Sequence, residues 1–207
     1  MLKIAVMGSG KGSNFKAIMH AIRNGEIPNA GVVLVISNNS NAGILELGRS
    51  FGVPSAHVSA AKSGSEDGFV RSLLSALEEH GVNCIVLAGY MKRMPNEVIA
   101  AYKDRILNVH PALLPQHGGK GMYGMRVHES VIASGDRVSG ATVHLVDEEY
   151  DHGKILLQRE VPVAADETPE SLATKVLAVE HVIYPEAIRL FAEASAFTVN
   201  DTGKKED

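Results

Sequence analysis

The feature that constrains this chain most is the alternation, near its start, of short apolar runs with segments of helical periodicity. The apolar runs are Leu2–Met7, Gly31–Ile36 and Asn83–Ala88. The segments with helical spacing are Ser13–Arg23, Ala42–Phe51 and Asp67–His80. Near-continuous apolar strands joined by helices are typical of a parallel sheet that is covered on both faces. We therefore expect an α/β fold with a Rossmann-like, mostly parallel sheet flanked by helices.

The later part of the chain indicates antiparallel additions to that sheet. After a short strand expected at Ile106–Val109, the antiparallel additions expected are Ala141–Val146 and Ile155–Val163. Shorter helical patterns lie at Pro95–Tyr102 and Arg126–Ser134. The last two strands are joined by a short loop, which favours antiparallel pairing.

One long helical pattern closes the chain, from Thr168 to Ala194, with Thr168 as its expected N-cap. Pro185 lies inside this pattern. Because proline lacks the backbone N–H and clashes with the preceding turn, it is expected to bend or split the helix. Residues 195–207 are expected to form a polar tail.

Composition excludes several classes of protein. The 207 residues fit one domain, 45% of them are hydrophobic, and the net charge of −4 disfavours general binding to nucleic acid. No apolar stretch reaches the roughly 20 residues that a membrane span needs. Cys84 is the only cysteine and lies in an apolar run, which indicates core packing and a reducing compartment. The first residues lack the features of a secretory peptide, so a cytoplasmic location is expected.

A glycine-rich loop, Gly8–Asn14, follows the first strand and precedes the first helix. Such junctions bind phosphate, because the helix N-terminus presents unpaired N–H groups and glycines allow close approach. Ser13 stands where a dinucleotide fingerprint needs its third glycine, and no acid follows the second strand. The spacing of a P-loop is also absent. The loop therefore favours one phosphate monoester held near Ser13 and Asn14, although a tight turn with a helix cap has the same pattern.

A second candidate site is the segment Asn108-Val109-His110-Pro111. On an extended segment Asn108 and His110 point to the same face, and Pro111 ends the strand. An amide donor and an imidazole that face one pocket suit a developing oxyanion. The alternative is a buried histidine whose ring is satisfied by the backbone.

An acidic loop, Asp147–Gly153, lies between the last two expected strands. A carboxylate from this loop would orient His110 and favour its protonated form. His144, on the preceding strand, is another candidate for that role. Most of the acids in this loop are also compatible with an ordinary solvated turn.

These features together resemble the phosphoribosylglycinamide formyltransferase family, from residue 3 to about residue 192. The landmarks are Gly10–Asn14, Val86–Lys92, Asn108–Pro115, Gly140–His144, Asp151–Gly153 and Glu180–Pro185. Several folate-dependent formyltransferases share the Asn-x-His-Pro segment and its distant aspartate. The glycine loop and the Glu-His-x-x-Tyr-Pro segment narrow the resemblance to this family.

The resemblance implies a formyltransferase fold in one domain, 1–194. Its first half, about 1–104, would bind phosphate, and its second half, about 105–194, would carry the folate and catalytic groups. The implied reaction passes a formyl group from 10-formyltetrahydrofolate to the glycine amine of glycinamide ribonucleotide, in purine biosynthesis. The resemblance implies no metal, and a homodimer is one expected form of the protein.

The resemblance also implies a role for particular residues. The phosphate would be held by Gly12, Ser13 and Asn14. The ribose hydroxyls would donate to Glu180. The pterin would lie along Met91, Lys92, Arg93 and Met94, with Asn108 beside its formyl group. The catalytic residues would be Asn108, His110 and Asp151, with Asn108 and His110 stabilising the oxyanion and Asp151 raising the pKa of His110 and assisting proton transfer.

The sequence departs from the family pattern at a few positions. Ala112 replaces a common serine, and Lys92-Arg93-Met94 replaces Arg-Ile-Leu. An arginine found near the folate's glutamate tail in some members is absent here, which leaves Lys62 or Lys92 as substitutes. The loop 116–124 is unusually rich in glycine and is expected to act as a flap.

Other functions fit fewer of these features. Formyltetrahydrofolate deformylase uses similar residues but has no need of a phosphate loop, and it usually carries an extra N-terminal domain. Methionyl-tRNA formyltransferase normally adds a nucleic-acid domain, for which the chain is too short. A nucleotide-dependent oxidoreductase conflicts with the glycine spacing. A noncatalytic ligand-binding module remains distinguishable by a turnover assay.

Overall fold

Seven strands form a single mixed sheet in the computed structural model, which describes the backbone of residues 1–201 and the side chains of residues 1–194. The strands are β1 (Leu2–Met7), β2 (Ala30–Ser37), β3 (Ser55–His57), β4 (Cys84–Leu87), β5 (Ile106–His110), β6 (Val138–Leu145) and β7 (Ile155–Pro162). Their order across the sheet is β3-β2-β1-β4-β5-β6-β7. The first five strands are parallel, and β6 and β7 are added antiparallel. The predicted fold class is confirmed.

Seven helices connect or flank these strands in the described part of the chain. They are α1 (Ser13–Arg23), α2 (Gly43–Ser50), α3 (Ala60–Ser63), α4 (Glu66–Glu79), α5 (Asn96–Ala101), α6 (Met125–Ser134) and α7 (Pro169–Asp201). The sequence patterns missed β3 and α3. Both are too short, at three and four residues, to show a periodicity of their own.

The two faces of the sheet bury separate cores, and β1 contributes to both of them. Ile4 and Val6 pack into one core, whereas Ala5 and Met7 pack into the other. Because successive strand residues point to opposite faces, a strand covered on both sides must be apolar at every position. This is why the parallel strands appear in the sequence as continuous apolar runs. Cys84 lies in the first core with no exposed surface, as predicted.

The chain starts in the middle of the sheet, and this decides where a ligand can bind. It winds outward from β1 through β2 to β3 and then returns to add β4 on the other side of β1. The connections therefore leave β1 and β4 in opposite directions, which opens a crevice at the carboxyl ends of these strands. The sheet crosses residues 104 and 105 without interruption, because β4 and β5 are paired through Ile85–Ile106 and its neighbours.

Helix α7 begins one residue after Thr168, whose Oγ1 accepts a hydrogen bond of 3.2 Å from the Ser171 N–H. The expected N-cap is confirmed. The helix continues through Pro185 to Asp201, so proline does not split it. The helix thus continues past Ala194, where the helical pattern in the sequence ends, and 202–207 lie outside the described residues. No helix in the described part of the chain is long and apolar enough to cross a membrane.

Candidate active site

A cleft of about 890 Å³ opens at the carboxyl ends of β1, β4 and β5. The predicted catalytic, phosphate, ribose and pterin residues all line this one cleft. They are Gly12, Ser13, Asn14, Met91, Lys92, Arg93, Met94, Asn108, His110, Asp151 and Glu180. Residues from the two predicted halves of the chain thus meet in one place, because the switch between β1 and β4 brings their loops together.

Glycine is required at the start of α1. Gly12 is the N-cap residue of α1 and has a φ of 84°, in the left-handed region that favours glycine. A Cβ at this position would lie 2.8 Å from Cγ1 of Ile44 on α2. No side chain caps the helix, so none accepts a hydrogen bond from the N–H groups of its first turn. Such a helix start suits an anion.

Ser9 ties the glycine loop to two neighbouring segments, a role that sequence reasoning missed. Its hydroxyl donates to Asn38 Oδ1 over 2.6 Å, and it accepts from the Met91 N–H over 2.8 Å. These bonds connect the ends of β1 and β2 with the segment after β4. In the sequence, this linking role was signalled only by the small size of Ser9 and its position in the glycine loop.

Asn14 and Glu180 form a buried pair between α1 and α7. Asn14 Nδ2 donates to Glu180 Oε2 over 2.6 Å, although the two residues are 166 positions apart. Asn14 Oδ1 has no hydrogen-bond partner among the described residues. Burial raises the pKa of Glu180 to about 7, and the hydrogen bond from Asn14 offsets only part of this effect. Near neutral pH the carboxyl group is therefore balanced between its charged and neutral forms.

Asn108, His110 and Asp151 meet around a fourth residue, His144. Asn108 Nδ2 lies 3.1 Å from His144 Nε2, and His144 Nδ1 donates to the Leu145 carbonyl over 2.8 Å. Asp151 lies between the two histidines, with one oxygen 3.5 Å from His110 Nδ1 and the other 3.6 Å from His144 Nε2. His144 therefore fixes the Asn108 amide and Asp151.

The pKa of His110 is set by two opposed effects. Burial lowers the pKa of His110 below its ordinary value, and the Asp151 carboxylate and the His117 carbonyl, which act in the opposite direction, do not compensate. The prediction that Asp151 favours the protonated ring is right for this interaction, but burial outweighs it. The imidazole is consequently mostly neutral at pH 7 in the free protein. Its side chain is only 3% exposed, so the ring is buried as in the alternative considered from the sequence, and it also lines the cleft.

Asp151 is held in a strained but well-bonded position. Its φ of 55° is in the left-handed region, and its Oδ2 accepts from the Gly119 N–H over 3.0 Å. Burial acts to raise the pKa of Asp151, but the neighbouring His144 and His110 rings and the Gly119 N–H together lower it. The group is therefore a carboxylate at neutral pH and can receive or stabilise a proton.

The segment Met91–Met94 forms another wall of the cleft, with Met94 buried and Met91 half exposed. The Arg93 guanidinium donates to the Glu148 carbonyl over 3.0 Å and lies over the Tyr150 ring. Lys92 lines the cleft, whereas Lys62 does not line it and donates to the His57 carbonyl. Of the two lysines considered as substitutes for the absent arginine, only Lys92 is therefore in position.

Tyr184 is a further residue whose role the sequence did not reveal. It is fully buried on α7, and its hydroxyl lies 3.0 Å from the carbonyl oxygens of both Leu87 and Leu107. Leu87 is the last residue of β4, and Leu107 lies in β5 directly before Asn108. The tyrosine thus ties these two neighbouring strands together beneath the site.

The chain is similar to known formyltransferases over most of its length. The formyl transferase family model matches residues 2–188. A chloroplastic phosphoribosylglycinamide formyltransferase of Arabidopsis thaliana is 46% identical over 192 residues, which are 92% of this chain and 65% of that protein. The phosphoribosylglycinamide formyltransferase of Escherichia coli (strain K12) is 33% identical over 192 residues, 93% of this chain and 88% of that protein. The chain spans just under two thirds of the length of the plant relative.

Solved structures agree with the sequence relatives. Glycinamide ribonucleotide transformylase 1 from Symbiobacterium toebii superimposes with a TM-score of 0.87 and 41% identity, over 94% of this chain and 89% of that one. A formyltetrahydrofolate deformylase from Pseudomonas syringae has a TM-score of 0.82 at 23% identity, which is a likeness of fold alone. With the glycine loop, the Asn108–His110–Asp151 cluster and Glu180 in one cleft, the chain belongs to the formyl transferase family, and within it to the phosphoribosylglycinamide formyltransferases.

Proposed function

We propose that this protein transfers the formyl group of 10-formyltetrahydrofolate to the glycine amine of N1-(5-phospho-D-ribosyl)glycinamide, giving formylglycinamide ribonucleotide in purine biosynthesis. The observation that carries the proposal is that one cleft holds both an anion-type helix start at Gly12 and the Asn108–His110–Asp151 cluster. A transfer to a phosphorylated amine needs both features, since one positions the acceptor and the other performs the chemistry.

The acceptor end of the cleft suits a ribonucleotide. The phosphate binds at the start of α1, where Gly12, Ser13 and Asn14 present backbone N–H groups and polar side chains. Glu180 then accepts hydrogen bonds from the ribose hydroxyls, while Asn14 keeps the carboxyl group in place. A buried carboxylate needs such donors, because an unpaired charge in an apolar site is unstable.

The donor end suits a flat, partly apolar molecule such as a reduced folate. Leu87, Met94, Ile99 and Val146 supply apolar walls, and the 88–94 segment supplies backbone polar groups. The volume of the cleft is close to the upper end of ordinary small-molecule pockets, about 1,000 Å³, which is consistent with two substrates side by side. The folate brings the formyl group. This chain's residues bind the folate, orient its formyl group and supply the protons.

The reaction forms a bond from the amine nitrogen to the formyl carbon and breaks the bond from that carbon to the folate nitrogen. Negative charge develops on the formyl oxygen, where Asn108 donates a hydrogen bond. The same charge, together with Asp151, raises the pKa of His110 during the reaction. The proton lost by the amine passes to the Asp151–His110 pair, and His110 Nδ1 delivers a proton to the leaving nitrogen.

Removal of either member of the proton-transfer pair tests these roles. We expect His110→Ala and Asp151→Ala each to lower kcat by about 10²–10³, because each removes a charge-stabilising group from the reacting centre. The KM for the ribonucleotide should change little, since neither side chain contacts the phosphate end. Steady-state kinetics of the purified variants measures both quantities, and near-parental turnover in either variant would show that its role is wrong.

The assay itself separates transfer from the alternative, hydrolysis by a formyltetrahydrofolate deformylase. The protein is mixed with glycinamide ribonucleotide and 10-formyltetrahydrofolate, and the absorbance of the released folate is followed while each substrate is omitted in turn. Release only with both substrates supports transfer. Release without the ribonucleotide would identify the deformylase reaction instead.

Two finer expectations belong with this proposal. We infer a cytoplasmic site of action from the lone buried Cys84, because a chain with one thiol has no internal disulfide to form. The homodimer remains a prediction, and light scattering coupled to size-exclusion chromatography measures it directly.

A further inference from the structure

Residues His117, Gly118 and Gly119, called here the bracket, contact both members of the proton-transfer pair. His110 Nε2 donates to the His117 carbonyl over 2.8 Å, and the Gly119 N–H donates to Asp151 Oδ2 over 3.0 Å. Between them, a Cβ on Gly118 would lie 3.3 Å from the Asp151 Cβ and 2.5 Å from the Leu114 side chain. The bracket thus packs closely against the pair and bonds to it from one side.

The bond to the His117 carbonyl has a chemical consequence for His110. A carbonyl oxygen only accepts hydrogen bonds, so the Nε2 of His110 keeps its hydrogen whether the ring is neutral or charged. The proton that comes and goes must then be carried by Nδ1, the nitrogen that lies 3.5 Å from Asp151. In a histidine, the hydrogen bond of one ring nitrogen decides the protonation of the other. The carbonyl therefore selects the nitrogen that exchanges protons with the substrate.

The orientation of that carbonyl depends on an unusual backbone conformation. His117 has a φ of 53°, in the left-handed region that residues with a side chain rarely adopt. Its ring is held at both nitrogens: Nδ1 lies 2.8 Å from Ser130 Oγ on α6, and Nε2 lies 2.7 Å from Asp136 Oδ2 in the turn after α6. Because a serine hydroxyl both donates and accepts, both contacts persist in the neutral and the protonated ring.

We propose that His117 is a positioning residue, whose ring, anchored by Ser130 and Asp136, holds its own carbonyl against His110 and so fixes the protonated nitrogen of the imidazole. The anchor lies outside the cleft, since neither Ser130 nor Asp136 lines it. The effect on turnover rests on the proposed formyl transfer, whereas the effect on the tautomer of His110 does not.

Three variants separate the anchor from the strained backbone. Asp136→Ala removes the acceptor, and Asp136→Asn keeps an oxygen that still accepts from His117 Nε2. His117→Asn keeps a residue that tolerates the left-handed region but has too short a side chain to reach both anchors. Glu193→Ala is the matched control, because it removes a surface carboxylate that pairs with Arg189 and does not line the cleft.

The tautomer is measured by ¹⁵N–¹H spectra of the imidazole groups in the unliganded protein, with the His110 signals assigned from His110→Ala. We expect the neutral ring to be protonated at Nε2 in the parent, in Asp136→Asn and in Glu193→Ala. In Asp136→Ala and His117→Asn, the proton should be shared between Nε2 and Nδ1. In the same two variants kcat should fall about 10–100-fold with the ribonucleotide KM unchanged, because the proton donor is misplaced.

An unchanged, singly protonated Nε2 spectrum in Asp136→Ala and His117→Asn would overturn the proposal. A fall in kcat that Asp136→Asn does not rescue would overturn it as well, since the anchor needs only an acceptor oxygen. If the parent protein released no folate with both substrates present, the proposed function would fail, and the spectra would still decide the role of His117.

Discussion

The burial of one carboxyl group, that of Glu180, makes the stability of the protein depend on pH. Its pKa is about 7 in the folded state against an ordinary 4.5, so the folded protein binds this proton more tightly than the unfolded chain. The associated stability is fully present below pH 4.5 and is lost as the pH rises to about 7. The shift corresponds to about 3 kcal/mol.

We therefore expect Glu180→Gln to remove this pH dependence. The free energy of unfolding of the parent, relative to the variant, should fall across pH 4.5 to 7 and stay level outside that window. Urea denaturation at a series of pH values measures the difference. Glu186→Gln, which removes an exposed carboxylate from the same helix, is the control. A difference that is constant with pH would contradict the assigned burial cost.

His110 shows at the same scale how two opposed effects are weighed. A carboxylate 3.5 Å away favours the charged ring, and burial at 3% exposure disfavours it more strongly. A neutral resting imidazole suits transfer, because the ring can take up a proton as negative charge develops nearby. The sequence contains the Asp151 carboxylate, whereas the desolvation of the His110 ring arises only in the packed structure.

At the scale of elements, α1 depends on the residue that starts it. Gly12→Ala would combine the left-handed φ of 84° with a Cβ 2.8 Å from Ile44, whereas Gly25→Ala, at φ 77°, has no atom within 4 Å. We expect Gly25→Ala to cost about 1–2 kcal/mol from strain alone, and Gly12→Ala to cost more. Chemical denaturation measures both values.

The same pair of variants tests the anion site. Inorganic phosphate should inhibit the parent protein. It should inhibit Gly12→Ala less, because the start of α1 is displaced in that variant. Gly25→Ala should be inhibited like the parent. Equal inhibition of all three proteins would mean that phosphate does not bind at the start of α1.

Helix α7 is tied to the sheet through Tyr184. Tyr184→Phe removes the hydroxyl that serves the Leu87 and Leu107 carbonyls, and leaving a buried acceptor unpaired costs about 1–3 kcal/mol. We also expect kcat to fall, since Asn108 directly follows Leu107. Tyr102→Phe is the matched control, because its buried hydroxyl donates to the Val82 carbonyl away from the cleft. If thermal melts and kinetics show the same change for both variants, Tyr184 has no special connection to the site.

At the scale of the whole molecule, the sheet joins the two halves that the sequence suggested. Strands β4 and β5 pair across the boundary near residue 104, and Asn14 binds Glu180 across 166 positions. We therefore expect one cooperative unfolding transition in calorimetry, with equal calorimetric and van't Hoff enthalpies. Ribonucleotide at 100 times its Kd should raise the free energy of that single transition by about 2.7 kcal/mol. Two transitions, with only one shifted by ligand, would show that the halves unfold separately.

The sequence by itself determined the parallel α/β framework and the local parts of the site. Strand and helix patterns record which face of each element is buried, and that information is present in a few consecutive residues. The glycine loop and the Asn-x-His segment are likewise each contained in a few consecutive residues. Residues of both segments line the cleft as expected. Features shorter than one period, such as β3 and α3, left no pattern to detect.

The tertiary structure decided what depends on segments far apart in the chain. It brought Asp151 beside His110, placed His144 against Asn108, and buried Glu180 under Asn14. It also set the net pKa direction of His110, because desolvation depends on every atom that packs around the ring. The sequence names the groups that can do the chemistry, and their distances and burial, which set their protonation, exist only once the sheet and α7 have closed around them.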